Sequence, residues 1–204
     1  MTAFHAVDRV IESGAVIAAL HPLGTDTGVA VIRDERATDV AAREALLDRA
    51  MGPGRFAKSS EILRTGRLPA EGLALAAVVD DVFAGTVRLW HVRAGSCDAL
   101  LLGPLAVDSH YRRYGLGGAL MREAIGRVES FGYDAILLVG DAPYYDRFGF
   151  SAAHTRQLDM PGQFDRERFL GRELRAGSLA GQSGVLLATG EFATAARPVE
   201  LIAA

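Results

Sequence analysis

The sequence predicts a mixed α/β (α+β) fold, with helices packed on one sheet. Three features of the chain carry that expectation. Short apolar, β-rich runs recur at 29–33, 73–79, 82–92, 100–107 and 135–139. Stretches of helical period stand between them, at 38–51 and 117–130. Gly, Pro and Asp clusters punctuate the joins, so the order reads strand, helices, hairpin, strand, helix, strand, helix, strand.

Residues 1–27 read as an N-terminal extension. Phe4, Val7, Val10 and Ile11 fall at helical spacing before Ser13-Gly14, which suits a short amphipathic helix or a frayed tail. Residues 21–28 read as a linker. After 29–33, Thr38 suits an N-cap for a helix reaching Met51, with Val40, Leu47 and Met51 on one face and Gly52-Pro53-Gly54 as its stop. Ser59 or Ser60 suits the cap of a second short helix ending near Gly66. Asp80-Asp81 marks a hairpin, and Ala94-Gly95-Ser96 a turn. Inside 100–107, Gly103-Pro104 interrupts the apolar run, the mark of a bulge or of a strand parting from its neighbour. The helix from Gly117 to about Ser130 lines up Ala119, Leu120, Ala124 and Val128. Asp141-Ala142-Pro143 opens a very short helix that Gly149 stops. Strand-like stretches follow at 169–174 and 185–188. The domain is expected over 28–171, with 172–204 as a C-terminal strand and tail packed on it.

Composition narrows the function. The 204 residues are 50% hydrophobic and 23% charged, a globular balance that excludes wholesale disorder. The length suits one domain with attachments. A net charge of −3 argues against a nucleic-acid partner. Lys58 is the only lysine, so Schiff-base chemistry has one weak candidate. Cys97 is the only cysteine, so no intramolecular disulfide can form and a reducing compartment fits. No apolar run approaches the ~18–20 residues of a membrane span, and the N-terminus lacks signal-peptide features. A cytoplasmic protein with no membrane partner is the expectation.

The chemistry concentrates in 101–150. A buried-type strand ends at Val107, and a loop from Asp108 to Gly118 leads into a helix. Glycines let such a loop turn tightly and approach a ligand. The free N–H groups and dipole of the helix N-terminus attract an anion, and Arg112 and Arg113 add forked donors. A diphosphate suits this loop. The dinucleotide fingerprint G-x-G-x-x-G fails, because its third glycine falls on Leu120. A Walker loop needs Gly-Lys-Ser/Thr, and Lys58 is the only lysine.

Arg112-Arg113-Tyr114-Gly115-Leu116-Gly117 resembles the [RQ]-x-x-G-x-[GA] motif of the GNAT superfamily of acyl-CoA-dependent N-acetyltransferases. Tyr145-Asp146-Arg147-Phe148-Gly149-Phe150 resembles the same family's Y-x-x-x-G-F signature, one helix and one strand downstream. With 102–107 and 85–90, these segments also resemble the bacterial YhbS-like subgroup. The resemblance covers about 29–150. It implies a mostly antiparallel sheet with helices on both faces and a V-shaped splay, where 100–107 diverges from 135–139. It implies acetyl-CoA as co-substrate, with the backbone of Leu105, Ala106 and Val107 holding the pantetheine arm. Arg112, Arg113, Gly115, Leu116, Gly117 and Gly118 would form the pyrophosphate loop. Tyr145 would protonate the departing thiolate, with Tyr144 as the alternative. The residue reading agrees: peptide groups freed at Gly103-Pro104 can polarise a thioester carbonyl, and one such donor is worth roughly 3 kcal/mol.

The base that deprotonates the amine stays open. Many family members use a glutamate on the strand equivalent to 100–107, and this strand has no titratable side chain. His91, Asp98, Asp108, His110 and Asp141 are candidates, with Asp108, Asp141 and His91 foremost. Each has an ordinary reading beside it: a packed histidine for His91, and a cap or turn residue for Asp108 and Asp141. A water relay needs none of them. Cys97 lies in a turn with nothing cationic to activate it. Asp108-Ser109-His110 points its side chains apart and forms no triad. No zinc spacing is present, and no metal is expected.

The expected function is acetyl transfer from acetyl-CoA to a primary amine by direct attack in a ternary complex. The rival is a non-catalytic acyl-CoA or small-ligand binding module on the same fold, favoured by the missing acidic residue. The acceptor, a small molecule or a peptide amine, would be set by 38–66 and 151–190. A homodimer is the default assembly.

Overall fold

The computed structural model describes residues 11–12, 15–19 and 29–193. In chain order the elements are β1 (Ile11–Glu12), β2 (Ala15–Ala19), β3 (Val29–Asp34), α1 (Val40–Met51), α2 (Ser59–Ile62), β4 (Ala74–Val79), β5 (Val82–Ala94) and β6 (Cys97–Val107). There follow α3 (Leu116–Ser130), β7 (Ala135–Val139), α4 (Ala142–Asp146), β8 (Leu158–Asp159), β9 (Phe169–Glu173), β10 (Gly184–Val185) and β11 (Leu187–Ala188). Nine strands among the described residues make one sheet, in the order β1-β2-β3-β4-β5-β6-β7-β9 with β11 added to β5. Every pairing in it is antiparallel except β6 with β7.

Alternation along the strands divides the core between the two faces. Leu75, Val87, Leu89, Leu100, Ile136 and Leu138 pack against Leu116, Leu120, Ala124 and Val128 of α3. Trp90, Val92, Leu101, Leu137 and Phe169 face the other way, toward Leu63, Met160 and Leu179. On that second face Leu46 and Leu47 of α1 cover Ala106. The expected sheet with helices on both faces is what the chain forms.

Asp80 and Asp81 join β4 to β5 with φ of 47° and 64°. Two positive φ values match the twist of a tight hairpin, and aspartate tolerates them better than most residues. The parting of β6 is also as expected. It runs parallel to β7 only at Leu100–Ile136 and Leu101–Leu137. Past that point β6 stays with β5, ending at Val107 opposite Gly85, while β7 stays with β9 to Val139 opposite Phe169. The β5–β6 register shifts between Val87 and Leu89, beside Gly103-Pro104. The Trp90 indole Nε1 donates to the Gly103 carbonyl at 2.6 Å and holds the irregular segment to β5. The two strands diverge and open a V.

Several local expectations change. Ile11, expected on a helix, is in β1, and β2 pairs along β3 from Val16–Ile32 to Ala19–Val29. Part of the extension thus continues the sheet, where edge hydrogen bonds of β3 outweigh a short helix. Phe4, Val7, Val10 and 21–28 lie outside the described residues. Thr38 does not cap α1. The Asp39 carboxylate accepts from the Arg36 N–H at 2.7 Å and pairs with Arg33 at 2.6 Å. Nor does Val40 face the core, being 43% exposed. Instead α1 turns Arg43 inward, because Glu35 lies beneath it as a buried partner. The boundary at 171/172 falls inside β9, which pairs with β7 along its whole length, so the sheet spans that boundary. Farther on, β11 pairs with β5 and Phe192 bridges Arg67.

Candidate active site

The site forms where β6 leaves β7. The Asp108 N–H donates to the Ala84 carbonyl of β5 at 2.8 Å. In an antiparallel ladder hydrogen-bonded and non-bonded pairs alternate. Leu105 and Val107, opposite Val87 and Gly85, are then non-bonded pairs whose N–H and C=O groups turn away from β5. They turn toward the V, where β7 no longer supplies partners. Pro104 carries no N–H. An extended ligand entering the V meets a strand edge with free donors and acceptors.

Beyond Val107 the chain makes a 3₁₀ turn, Ser109–Tyr114, capped by Asp108. Gly115 then takes φ 72°, a left-handed conformation that reverses the chain into α3. The Ala119 N–H is the first in α3 to bond back, to the Gly115 carbonyl at 3.0 Å. The N–H groups of Leu116, Gly117 and Gly118 are the orphan donors of the helix start. Arg112 and Arg113 are exposed beside them, Arg113 donating to the Tyr114 hydroxyl at 3.2 Å. Leu116 contributes only its backbone, since its side chain is fully buried under the sheet. Arg122, one turn along α3, lies outside both sequence motifs. Its guanidinium stands 3.3 Å from where a Cβ on Gly118 would lie. The signal was its i,i+4 spacing from Gly118.

The second motif reaches the same place. Pro143 and the left-handed Gly149 bound the short α4 region, as expected. The Tyr144 and Tyr145 rings meet edge-on, with centroids 4.9 Å apart. The Tyr144 hydroxyl lies 2.9 Å from where a Cβ on Gly117 would stand, so the tyrosine motif touches the glycine loop across the V. Tyr145 lies against Gly140, the residue after β7. Burial pushes the Tyr145 phenol up to about 12, with Tyr144 and Asp141 adding to the shift and Arg168 opposing it. Arg147 stacks on the Tyr144 ring at 4.0 Å. With Arg122, Phe148 and Arg172 it lines an open groove of about 730 Å³ along α3, next to the V.

The base candidates separate. The Asp108 carboxylate accepts from the His110 N–H, contacts His110 Nδ1 at 2.8 Å and pairs with Arg49 at 3.0 Å. His110 and then Arg49 hold it down to about 2, which makes it a poor proton acceptor. Asp141 is exposed before α4, close enough to raise the Tyr145 phenol, and its carbonyl accepts from the Tyr144 and Tyr145 N–H groups. His91 sits opposite Leu100, on the closed side of the splay, packed beside Tyr133 at 5.7 Å. It is not brought to the V. Asp98 and Cys97 lie at the far end of β6, and burial pushes the Cys97 thiol up, away from nucleophilic chemistry. His110 is exposed in the loop and engaged with Asp108. Among the described residues no group of three or more His, Cys, Asp or Glu could hold a metal ion, and no helix is long and apolar enough to cross a membrane.

Comparison with known proteins agrees with this geometry. The model of the acetyltransferase (GNAT) family matches residues 41–150. The uncharacterized N-acetyltransferase YhbS of Escherichia coli is 34% identical over 136 residues, 65% of this chain and 81% of that protein. The uncharacterized N-acetyltransferase YjhQ of the same species is 40% identical over 50 residues, 24% of this chain and 28% of that one. Among solved structures, E. coli YhbS in complex with CoA superposes with a TM-score of 0.68 at 31% identity, over 83% of this chain and 94% of that one. A GNAT acetyltransferase from Brucella melitensis in complex with acetyl-CoA gives 0.53 at 29% identity, over 61% and 84%. The splayed strands, the glycine loop and the tyrosine motif lie within or at the border of the matched segment, and the chain belongs to the GNAT acetyltransferase family, in which it is similar to YhbS.

Proposed function

We propose that the protein transfers an acetyl group from acetyl-CoA to a primary amine by direct attack in a ternary complex. One observation carries this: the unpaired edge of β6, the N-terminus of α3 and the Tyr144–Tyr145 pair converge on one opening. The solved relatives bind CoA or acetyl-CoA. In this reading the backbone groups of Leu105 and Val107 hold the pantetheine arm as an added strand would, whereas those of Ala106, expected to share in it, turn to Thr86 of β5. The N–H groups of Leu116, Gly117 and Gly118 take the pyrophosphate, with the turn at Gly115 presenting them and Arg112, Arg113 and Arg122 supplying charge. A β6 N–H polarises the thioester carbonyl. The amine nitrogen bonds to the carbonyl carbon as the carbon–sulfur bond breaks, and the Tyr145 hydroxyl gives its proton to the sulfur. The amine loses its own proton to water, with Asp141 the one foremost carboxylate candidate left without a side-chain bond at the opening, and water returns a proton to the Tyr145 phenolate. A cytoplasmic location and a homodimer complete the proposal.

The test is a pair of measurements. CoA binding is followed by calorimetry, and CoA thiol release over a panel of amines by a thiol reagent. Binding with release is expected. Tyr145→Phe should cut kcat by about 100-fold while CoA affinity changes by less than about threefold, since a positioned acid contributes at least that much to the chemical step alone. Binding with no release on any amine would favour the non-catalytic module. No binding at millimolar CoA would end both readings.

A further inference from the structure

The second face of the sheet carries a group of charged side chains between α1, α2 and β5, on the side of the V away from α3. Most of these are mutually satisfied. Glu35, with its side chain 5% exposed, faces both Arg43 and Arg88. Arg55 is held by Glu44 and Asp48. Arg64 differs. Its side chain is 9% exposed, and its one ion pair is Nη2 to Glu61 at 2.7 Å. Its Nε is buried with no partner. Its Nη1 points to the irregular part of β6, 3.7 Å from where a Cβ on Gly103 would stand. Burial and the neighbouring Arg55 both work against its charge, with Glu61 alone in support. A buried cation in that position is costly unless something completes its partners.

A Cβ on Gly103 would meet no atom within 4 Å other than Arg64 Nη1, so the guanidinium borders open space at the splay. Gly103 lies at the point where β6 leaves β7, held there by the Trp90 indole. Ile62 on α2 is 60% exposed, and its Cδ1 lies 3.3 Å from where a Cβ on Gly162 would stand. The 160–164 loop and α2 therefore pack together, on the face of the sheet opposite α3.

We infer that Arg64 is a specificity-determining residue that receives an anionic group, a carboxylate or a phosphate, carried by the acceptor amine. This rests on the acetyl-transfer reading above. The acceptor places its anion on Nη1 of Arg64, in the space over Gly103, and brings its nitrogen to the V. The substrate class is thereby narrowed to amino acids, peptides with a free C-terminus or side-chain carboxylate, and aminoalkyl phosphates.

The test is acetyl transfer to matched pairs: amino acids and dipeptides against their C-terminal amides, and phosphoethanolamine against ethanolamine, with spermidine as a cation without an anion. At least one anionic member is expected to exceed its neutral partner in kcat/KM by about 10- to 100-fold, the range of one charge-assisted hydrogen bond. The carboxylate and phosphate arms show which anion is used. In Arg64→Gln that preference should vanish through a rise in KM, with acetyl-CoA affinity unchanged, and Arg64→Lys should restore part of it. If Arg64→Gln does not fold, the wild-type pairs alone decide. Equal rates within every pair, a preference that survives Arg64→Gln, or turnover confined to spermidine would overturn the inference and leave acetyl transfer standing. CoA binding with no transfer to any amine would instead defeat the transferase reading, and the inference with it.

Discussion

The ring of Tyr145 rests on the backbone of Gly140: a Cβ added at Gly140 would stand 2.1 Å from Tyr145 Cε2 and 2.7 Å from Cδ2. No side chain fits that gap. The strand end of β7 thus positions the tyrosine that the proposed mechanism uses as its acid, and Gly140 is required by contact with that ring.

Gly140→Ala should therefore displace Tyr145 without touching the phosphate loop. We expect kcat to fall by about 10- to 100-fold, the effect of a misplacement of about 1 Å, with CoA affinity retained. Stopped-time acetylation assays beside calorimetric titration of CoA check both halves. Unchanged kcat would remove Tyr145 from the chemistry.

The Tyr145 phenol, raised to about 12 by burial, stays protonated throughout the usable pH range. An acid must keep its proton to act, so a raised value preserves activity on the alkaline side. The rate should rise with pH as the amine loses its proton and then level, with no descending limb below about pH 10. A pH profile of kcat with a fast acceptor tests this, and a fall setting in near pH 8 would contradict it.

Glu35 lies under Arg43 and Arg88 with little access to water. Glu35→Gln removes the buried counter-charge of Arg88 and leaves Arg43 with only its half-exposed partner Glu44. Breaking one partner of such a pair is far more costly than replacing the whole pair, and about 3–5 kcal/mol of unfolding free energy should be lost. Urea unfolding followed by circular dichroism gives the value.

Asp108 is held down to about 2 by His110 and Arg49. A carboxylate depressed in the folded state stabilises it above the unfolded value near 4, and that stability is lost as pH falls through the folded value. Asp108→Asn should flatten the stability curve between about pH 4 and pH 2 while lowering stability at neutral pH. Thermal melts at stepped pH values read both effects.

Much of the fold was legible because it follows from local rules. Asp80-Asp81 between two β-rich runs specifies a hairpin whatever surrounds it. Gly103-Pro104 shows where β6 stops making a regular ladder. The α1 face is not legible in the sequence, for the opposite reason. The apolar pattern puts Val40 inward, while the buried Glu35, contributed by the end of β3, draws Arg43 there instead. The strands β1 and β2 have no local signature, because a short segment takes its structure from the edge it joins.

The sequence by itself determined the phosphate loop and the tyrosine motif. A tight turn, an anion-binding helix start and a proline-led short helix are built from residues adjacent in the chain. Only the tertiary structure decided which side chains meet at the opening. Tyr144 against Gly117, Tyr145 on Gly140, and Arg64 beside Gly103 are contacts between different elements. Whether a histidine such as His91 faces the site or the closed side of the splay depends on strand register, and register is set by pairing across the sheet. Burial decides which buried cation lacks a second partner, and burial exists only once the chain has folded.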